Sequence, residues 1–259
     1  LLVAVGFQCI AFVGLLKLLM TVEPMMRRKL IILMMFPSFT IWSSVPSKEA
    51  VVVFAMGLAL SYLVELFRGQ ERLSLLHLVG FYFLLIYKSQ YFIAILFIIL
   101  TTKLAAHVRQ KAFLPVLFGL LSLLPLYLFR DRIDALSFEV QRHFVGFGRS
   151  TREEFFVTQY DVFEKMFTGI FQSFYGPTWS EAQLSLLHMM SFVESGLIVI
   201  ILIFYIIRQL PRTPAYSFFL SLFALFWILF PTYPLGIMNP GTAIRYRTGY
   251  ILLIFVIMI

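Results

Sequence analysis

Apolar runs recur along this chain at the length needed to cross a bilayer, and nothing else in the sequence restricts its fold as strongly. Crossing roughly 30 Å of hydrocarbon takes about 20 helical residues, somewhat fewer where polar ends snorkel. Runs at 1–20, 29–44 (short), 49–67, 112–129, 184–207 and 216–231 meet that test, and another begins at Tyr250. In lipid every backbone N–H and C=O must be satisfied within the segment, so such runs predict helices. The balance of residues agrees: 61% are hydrophobic and 13% charged over 259 positions, far from a soluble domain. The expected fold is all-α, a polytopic transmembrane helical bundle formed by 1–259 as a single transmembrane domain. The chain opens in an apolar run without a basic n-region and stops inside another at Ile259. It therefore reads as part of a longer protein, with spans missing or cut short at both ends.

Basic residues set the expected sidedness. Arg27, Arg28 and Lys29 mark one short connection, Arg68 and Arg72 a second, Lys103, Arg109 and Lys111 a third, and Arg208 and Arg212 a fourth. Short loops rich in Lys and Arg stay in the cytoplasm. The net charge of +8 is thereby explained by anionic lipid, and nucleic acid is excluded as a partner. With these four connections inside, the apolar stretch 73–104 must start and end on the cytoplasmic side. Its two halves are too short for ordinary spans, so it predicts a re-entrant-like hairpin of two short helices with Lys88 near the tip. Such backbone is tolerated at membrane depth only against protein or a water-filled cavity.

The same orientation puts 42–49, 130–183 and 232–249 outside. The connection 130–183 is long enough to be a functional segment, and aromatic spacing over 155–175 predicts a helix lying on the membrane surface. A structural lid is the plainer alternative. The one cysteine, Cys9, rules out a disulfide framework and a thiol metal site, and the absence of a His-x-x-x-His pair, a Gly-rich phosphate loop and a nucleophile elbow together argues against an ATP-driven or zinc-dependent protein. No cofactor is expected.

Chemistry then rests on polar residues that apolar surroundings make costly. Ser47 suits an N-cap with Glu49 in the first helical turn; alternatively Lys48 and Glu49 flank a cavity as anion contact and proton acceptor. The segment 239–247 carries Asn239, Arg245 and Arg247, and guanidinium groups suit bidentate recognition of phosphate. Lipid headgroups or the acidic outer connection are the other partners open to them. Glu194, well inside its run, is either functional or ion-paired, with Lys88 as the obvious mate. His143 and the carboxylates Glu153, Glu154 and Asp161 are candidate general bases; His77, His107 and His188 read as structural.

Three groups of residues resemble a known order of motifs. Pro37-Ser38-Phe39 precedes Trp42-Ser43-Ser44 and Lys48-Glu49-Ala50. Gly176-Pro177-Thr178-Trp179-Ser180-Glu181 precedes the run that holds Glu194, and Asn239 precedes Gly241-Thr242 and Arg245-Tyr246-Arg247. Together they resemble bacterial polysaccharide-cluster membrane proteins: Wzy-like O-antigen or capsule polymerases and related glycosyltransferases of the GT-C type. The resemblance implies a GT-C-like bundle in the bacterial inner membrane with its active site facing the periplasm. It implies a metal- and nucleotide-independent glycosyltransferase that joins oligosaccharide repeat units carried on undecaprenyl pyrophosphate. Arg245 and Arg247, with Lys88 or Lys48, would hold the pyrophosphate. Glu49 or His143 would act as base, and Trp179, Glu181, Glu194 and Asn239 are further site candidates. Implied partners are the undecaprenyl-pyrophosphate-linked glycan, membrane lipid and a chain-length regulator protein. The chain has fewer spans than is usual for such polymerases, which leaves part of the cavity unaccounted for.

Other functions compete. A GT-C transferase using a polyprenyl monophosphate sugar would draw on Asp131, Asp134 and Glu139. A transporter of lipid-linked glycans would show paired repeats with broken helices, of which this sequence offers a single interrupted segment. A non-catalytic membrane subunit would place the polar residues at a partner interface.

Overall fold

The computed structural model describes residues 2–70, 72–147 and 152–258. Position 1 of the first expected span and positions 148–151 of the long connection lie outside them. The described residues form helices and connections, with no strand among them. Four helices are long and apolar enough to cross a membrane: α1 (Leu2–Thr21), α4 (Lys48–Phe67), α12 (Leu186–Gln209) and α13 (Ala215–Gly236). The helices α7 (Phe113–Leu128) and α8 (Arg130–Gly146) meet at a 72° bend and qualify together as either a broken span or a re-entrant loop. Large apolar side chains stand exposed on α1, α7 and α12, among them Phe12, Leu120, Leu187, Ile200 and Phe204. Exposed apolar surface of that extent suits lipid and not water.

Contacts divide the chain into two compact units, Leu1–Lys111 with Arg247–Ile259, and Ala112–Tyr246. In the first, α4 is the core. Of its most apolar stretch 78% is buried, against 22% in α1, and it packs on α1 and on α5 (Leu75–Tyr87). The approach of α1 to α4 is set by glycine: a Cβ on Gly14 would run into the Phe54 carbonyl, and one on Gly57 into Gly14 itself. Small residues let helix backbones approach closely where lipid supplies no hydrophobic drive between helices.

The run 29–44 is not one short span. It is two helices, α2 (Pro24–Met34) and α3 (Pro37–Ser44). Pro37 disfavours helical backbone at Phe36, which adopts φ −62°, ψ 134° and starts α3 instead of continuing α2. The stretch 73–104 is a pair of short apolar helices, α5 and α6 (Ser89–Ala105), with Lys88 as the single break between them. Ser74 opens α5 through a reciprocal capping box with His77.

In the second unit α13 packs on α7, α8 and α10 (Met166–Tyr175). The long connection is mostly helical, consisting of α8, α9 (Asp161–Glu164), α10 and α11 (Trp179–Ala182). It shares with α13 and the residues that follow it a buried core of Phe156, Val162, Phe230, Tyr233, Ile237 and Met238. Two polar side chains hold the backbone over that core. The Gln141 carbonyl oxygen accepts from the Phe155 and Phe156 N–H groups, both at 2.8 Å, while its amide donates to the Phe156 carbonyl at 2.8 Å. Asp161 accepts from Val157 N–H (2.7 Å), Thr158 N–H (2.9 Å) and Lys165 Nζ (2.7 Å). Burial opposes ionisation of Asp161, but the Lys165 ammonium and the Thr158 and Val157 donors outweigh it and hold the carboxyl well below the usual range. The last helix, α14 (Pro240–Met258), starts ten residues before the run expected from Tyr250. Asn239 explains the early start. Its Oδ1 accepts from Gly241 N–H (2.8 Å) and Thr242 N–H (3.2 Å), and Pro240 at the first helical position needs no partner for a missing N–H.

Candidate functional site

The first unit contains four of the charged residues singled out by sequence, Lys48, Glu49, Lys88 and Arg247, and three of them are buried. Ser47 caps α4: its hydroxyl accepts from Glu49 N–H at 3.3 Å and donates to Glu49 Oε2 at 2.9 Å, so the carboxylate is fixed in the first helical turn. Glu49 is only 3% exposed, whereas Lys48 beside it is exposed. Lys88, also 3% exposed, stands at the helix break with its ammonium 5.8 Å from the centre of the Tyr91 ring, a cation–π contact that partly offsets lost hydration. Tyr91 meets Tyr250 edge-on at 5.9 Å. A Cβ on Gly249 would lie 2.9 Å from the Tyr91 ring and 3.2 Å from Val52. Hence the first turn of α6, the second turn of α4 and the middle of α14 meet at one place. Arg247, 1% exposed, is one helical turn before Tyr250 on the same helix face.

Glu49, Lys88 and Arg247 therefore belong to one apolar unit, each within about a turn of the Val52–Tyr91–Gly249 contact. Taking such ions out of water costs several kcal/mol apiece unless other groups compensate, and none of the three is without a partner. Two cations and one carboxylate in an apolar unit can hold a doubly charged phosphate ester and accept a proton.

Arg245 precedes Arg247 by two residues on the same helix. Residues two apart on a helix do not share a face, and the division between the units falls between Tyr246 and Arg247. Arg245 is half-buried with its guanidinium 5.6 Å from the Tyr246 ring. The other candidates also belong to the second unit. Glu181 is a partner of Arg152, whose Nε and Nη2 donate to its two oxygens at 2.9 and 2.7 Å and which also donates to the carbonyls of Ile237 (2.7 Å) and Gly176 (2.5 Å). Glu181 also completes a capping box with Thr178. Gly176, at φ 90°, turns the chain into that arrangement. Trp179 is 58% exposed and packs edge-on against Phe192 at 5.5 Å. Glu194 is 5% exposed on α12, beside the fully buried Ser195; it belongs to the second unit and Lys88 to the first. His143 is exposed on α8, its ring 4.8 Å from that of Phe147.

Sequence reasoning passed over Arg152, Gln141 and Tyr91. Tyr91 had a usable signal, because it lies one turn after a lysine in an otherwise apolar stretch. No group of three or more His, Cys, Asp or Glu residues suited to a metal occurs among the described residues. Compared with protein-family models, curated proteins and solved structures, the chain matches none.

Proposed function

We propose that the chain forms part of a Wzy-like polysaccharide polymerase of the bacterial inner membrane, with a GT-C-like helical bundle and its site facing the periplasm. The burial of Lys88, Arg247 and Glu49 in one apolar unit carries this reading. Lys88 and Arg247 bind the pyrophosphate that links the growing glycan to undecaprenol. A hydroxyl of the incoming lipid-linked repeat unit attacks the anomeric carbon, the C–O bond to pyrophosphate breaks, and the bonding pair leaves with the pyrophosphate. Glu49 takes the hydroxyl proton. Cations preorganised where negative charge grows, and a base placed on the nucleophile, are the two contributions such a transfer needs.

The test is chain elongation in vitro by the purified natural protein, supplied with lipid-linked repeat units and read as a ladder on a gel. Glu49→Gln is expected to lower the rate by about 10²–10⁴, the usual contribution of a general base. Arg247→Lys is expected to retain more activity than Arg247→Met. A full-rate ladder from both Glu49→Gln and Arg247→Met would remove the reading, and loss of assembly before loss of rate would point to a structural subunit.

A further inference from the structure

The second unit also carries a groove of about 700 Å³, within the roughly 300–1,000 Å³ range of small-molecule sites. Leu126 of α7, Phe163 of α9, Met166 of α10 and Phe226 and Phe230 of α13 form its walls. Polar groups stand among its lining at the bend between α7 and α8. Arg130, the first residue of α8, lies with its guanidinium 4.6 Å from the Tyr127 ring. Glu164, exposed at the end of α9, lines the same groove. It makes no ion pair among the described residues. Asp131 is 3.9 Å from Arg130 Nε but already accepts from the Tyr160 hydroxyl. Glu164 is thus a carboxylate in the same lining as Arg130 that is not engaged in an ion pair among the described residues.

We propose that this groove holds one acyl chain of a bilayer aminophospholipid, with the lipid phosphate on Arg130 and its ammonium on Glu164. An apolar trough along α13 and the bent α7–α8 pair meets lipid as its solvent, and a hydrocarbon chain is the occupant that its walls match. The charges beside it choose the headgroup. A guanidinium suits a phosphodiester, and a carboxylate suits a cation that can donate hydrogen bonds. Ethanolamine phospholipids present both groups in one headgroup. Choline lipids carry the positive charge but no N–H, and glycerol lipids carry no positive charge.

Native mass spectrometry of the full chain tests this. The protein is purified in detergent, delipidated, and titrated with an equimolar mixture of dioleoyl phosphatidylethanolamine, phosphatidylcholine and phosphatidylglycerol. The ethanolamine lipid is expected to be retained roughly threefold over each of the others, the preference that one exposed charge contact supports. Glu164→Gln should bring it down to the level of the glycerol lipid, and Arg130→Gln should weaken all three. Leu126→Trp, which fills the groove, should abolish retention while elution and helical circular dichroism stay unchanged. Added inorganic phosphate should displace nothing, because the chain supplies most of the affinity. Equal retention of the three lipids would overturn the proposal, as would a preference that survives both Glu164→Gln and Arg130→Gln, or displacement by phosphate. Both charge variants alter partly exposed side chains, so the test holds even if Leu126→Trp fails to fold.

Discussion

Arg152 shows what a residue can contribute without belonging to any motif. It donates to both oxygens of Glu181 and to the carbonyls of Ile237 and Gly176, and the Arg152 and Glu181 side chains are largely buried. Removing one member of such a pair strands the other charge, at a cost of about 3–5 kcal/mol. Arg152→Met is therefore expected to lower the melting temperature sharply, and Arg152→Met with Glu181→Leu should recover part of the loss. A single-variant melt within a degree of the natural protein would refute the role. Asp161 makes a pH prediction. Its folded pKa is depressed, so its contribution is complete above the unfolded value of about 3.9 and is lost as pH falls through the folded one. Melts recorded from pH 6 downward should show an acid limb that is shallower in Asp161→Asn. An unchanged limb would show that Asp161 is not the group responsible. Glu49 with Ser47 was readable in the sequence, because an N-cap serine and a first-turn acid are local patterns. Arg152 was not, because its partners lie 24 to 85 positions away.

At the scale of elements, the sequence was most informative where the rule is local and least where tertiary contact decides. The break of the 73–104 stretch at Lys88 followed from two apolar halves each too short to span. The division of 29–44 into two helices could have been read from Pro37, but run length alone hid it. Helix α8 lacked the apolar signature of a span, so its register is fixed by the groups it serves: Asp134 accepts from the Tyr160 N–H at 2.9 Å and Gln141 binds the Phe155–Phe156 backbone. The site in the first unit depends on a different tertiary fact, the lack of a side chain at Gly249 where Tyr91 and Val52 press in. Gly249→Val is expected to destabilise the protein by about 1–3 kcal/mol, as overpacking does, and Gly249→Ala less. Chemical denaturation of the two variants measures this; a neutral Gly249→Val would mean that α14 has room to move.

For the whole molecule, the apolar helices fit a membrane protein, and the distribution of Arg and Lys predicts which ends face the cytoplasm. That prediction can be checked in a Cys9→Ser background with single cysteines replacing Pro46 and Arg72, both exposed. An impermeant thiol reagent applied to intact cells should label position 46 and spare 72. The reverse pattern would invert the proposed orientation and place the Glu49 end of the first unit in the cytoplasm. The polymerase reading goes further than sidedness, since it requires that each new glycosidic bond release one undecaprenyl pyrophosphate. The most direct measurement is therefore the molar ratio of released undecaprenyl pyrophosphate to bonds formed, taken from the purified natural protein in a chelator and without nucleotide. The account predicts a ratio of one, which stays at one in Glu49→Gln while release and bond formation slow together; release of a polyprenyl monophosphate, or transfer that stops without chelatable metal or nucleotide, would contradict it.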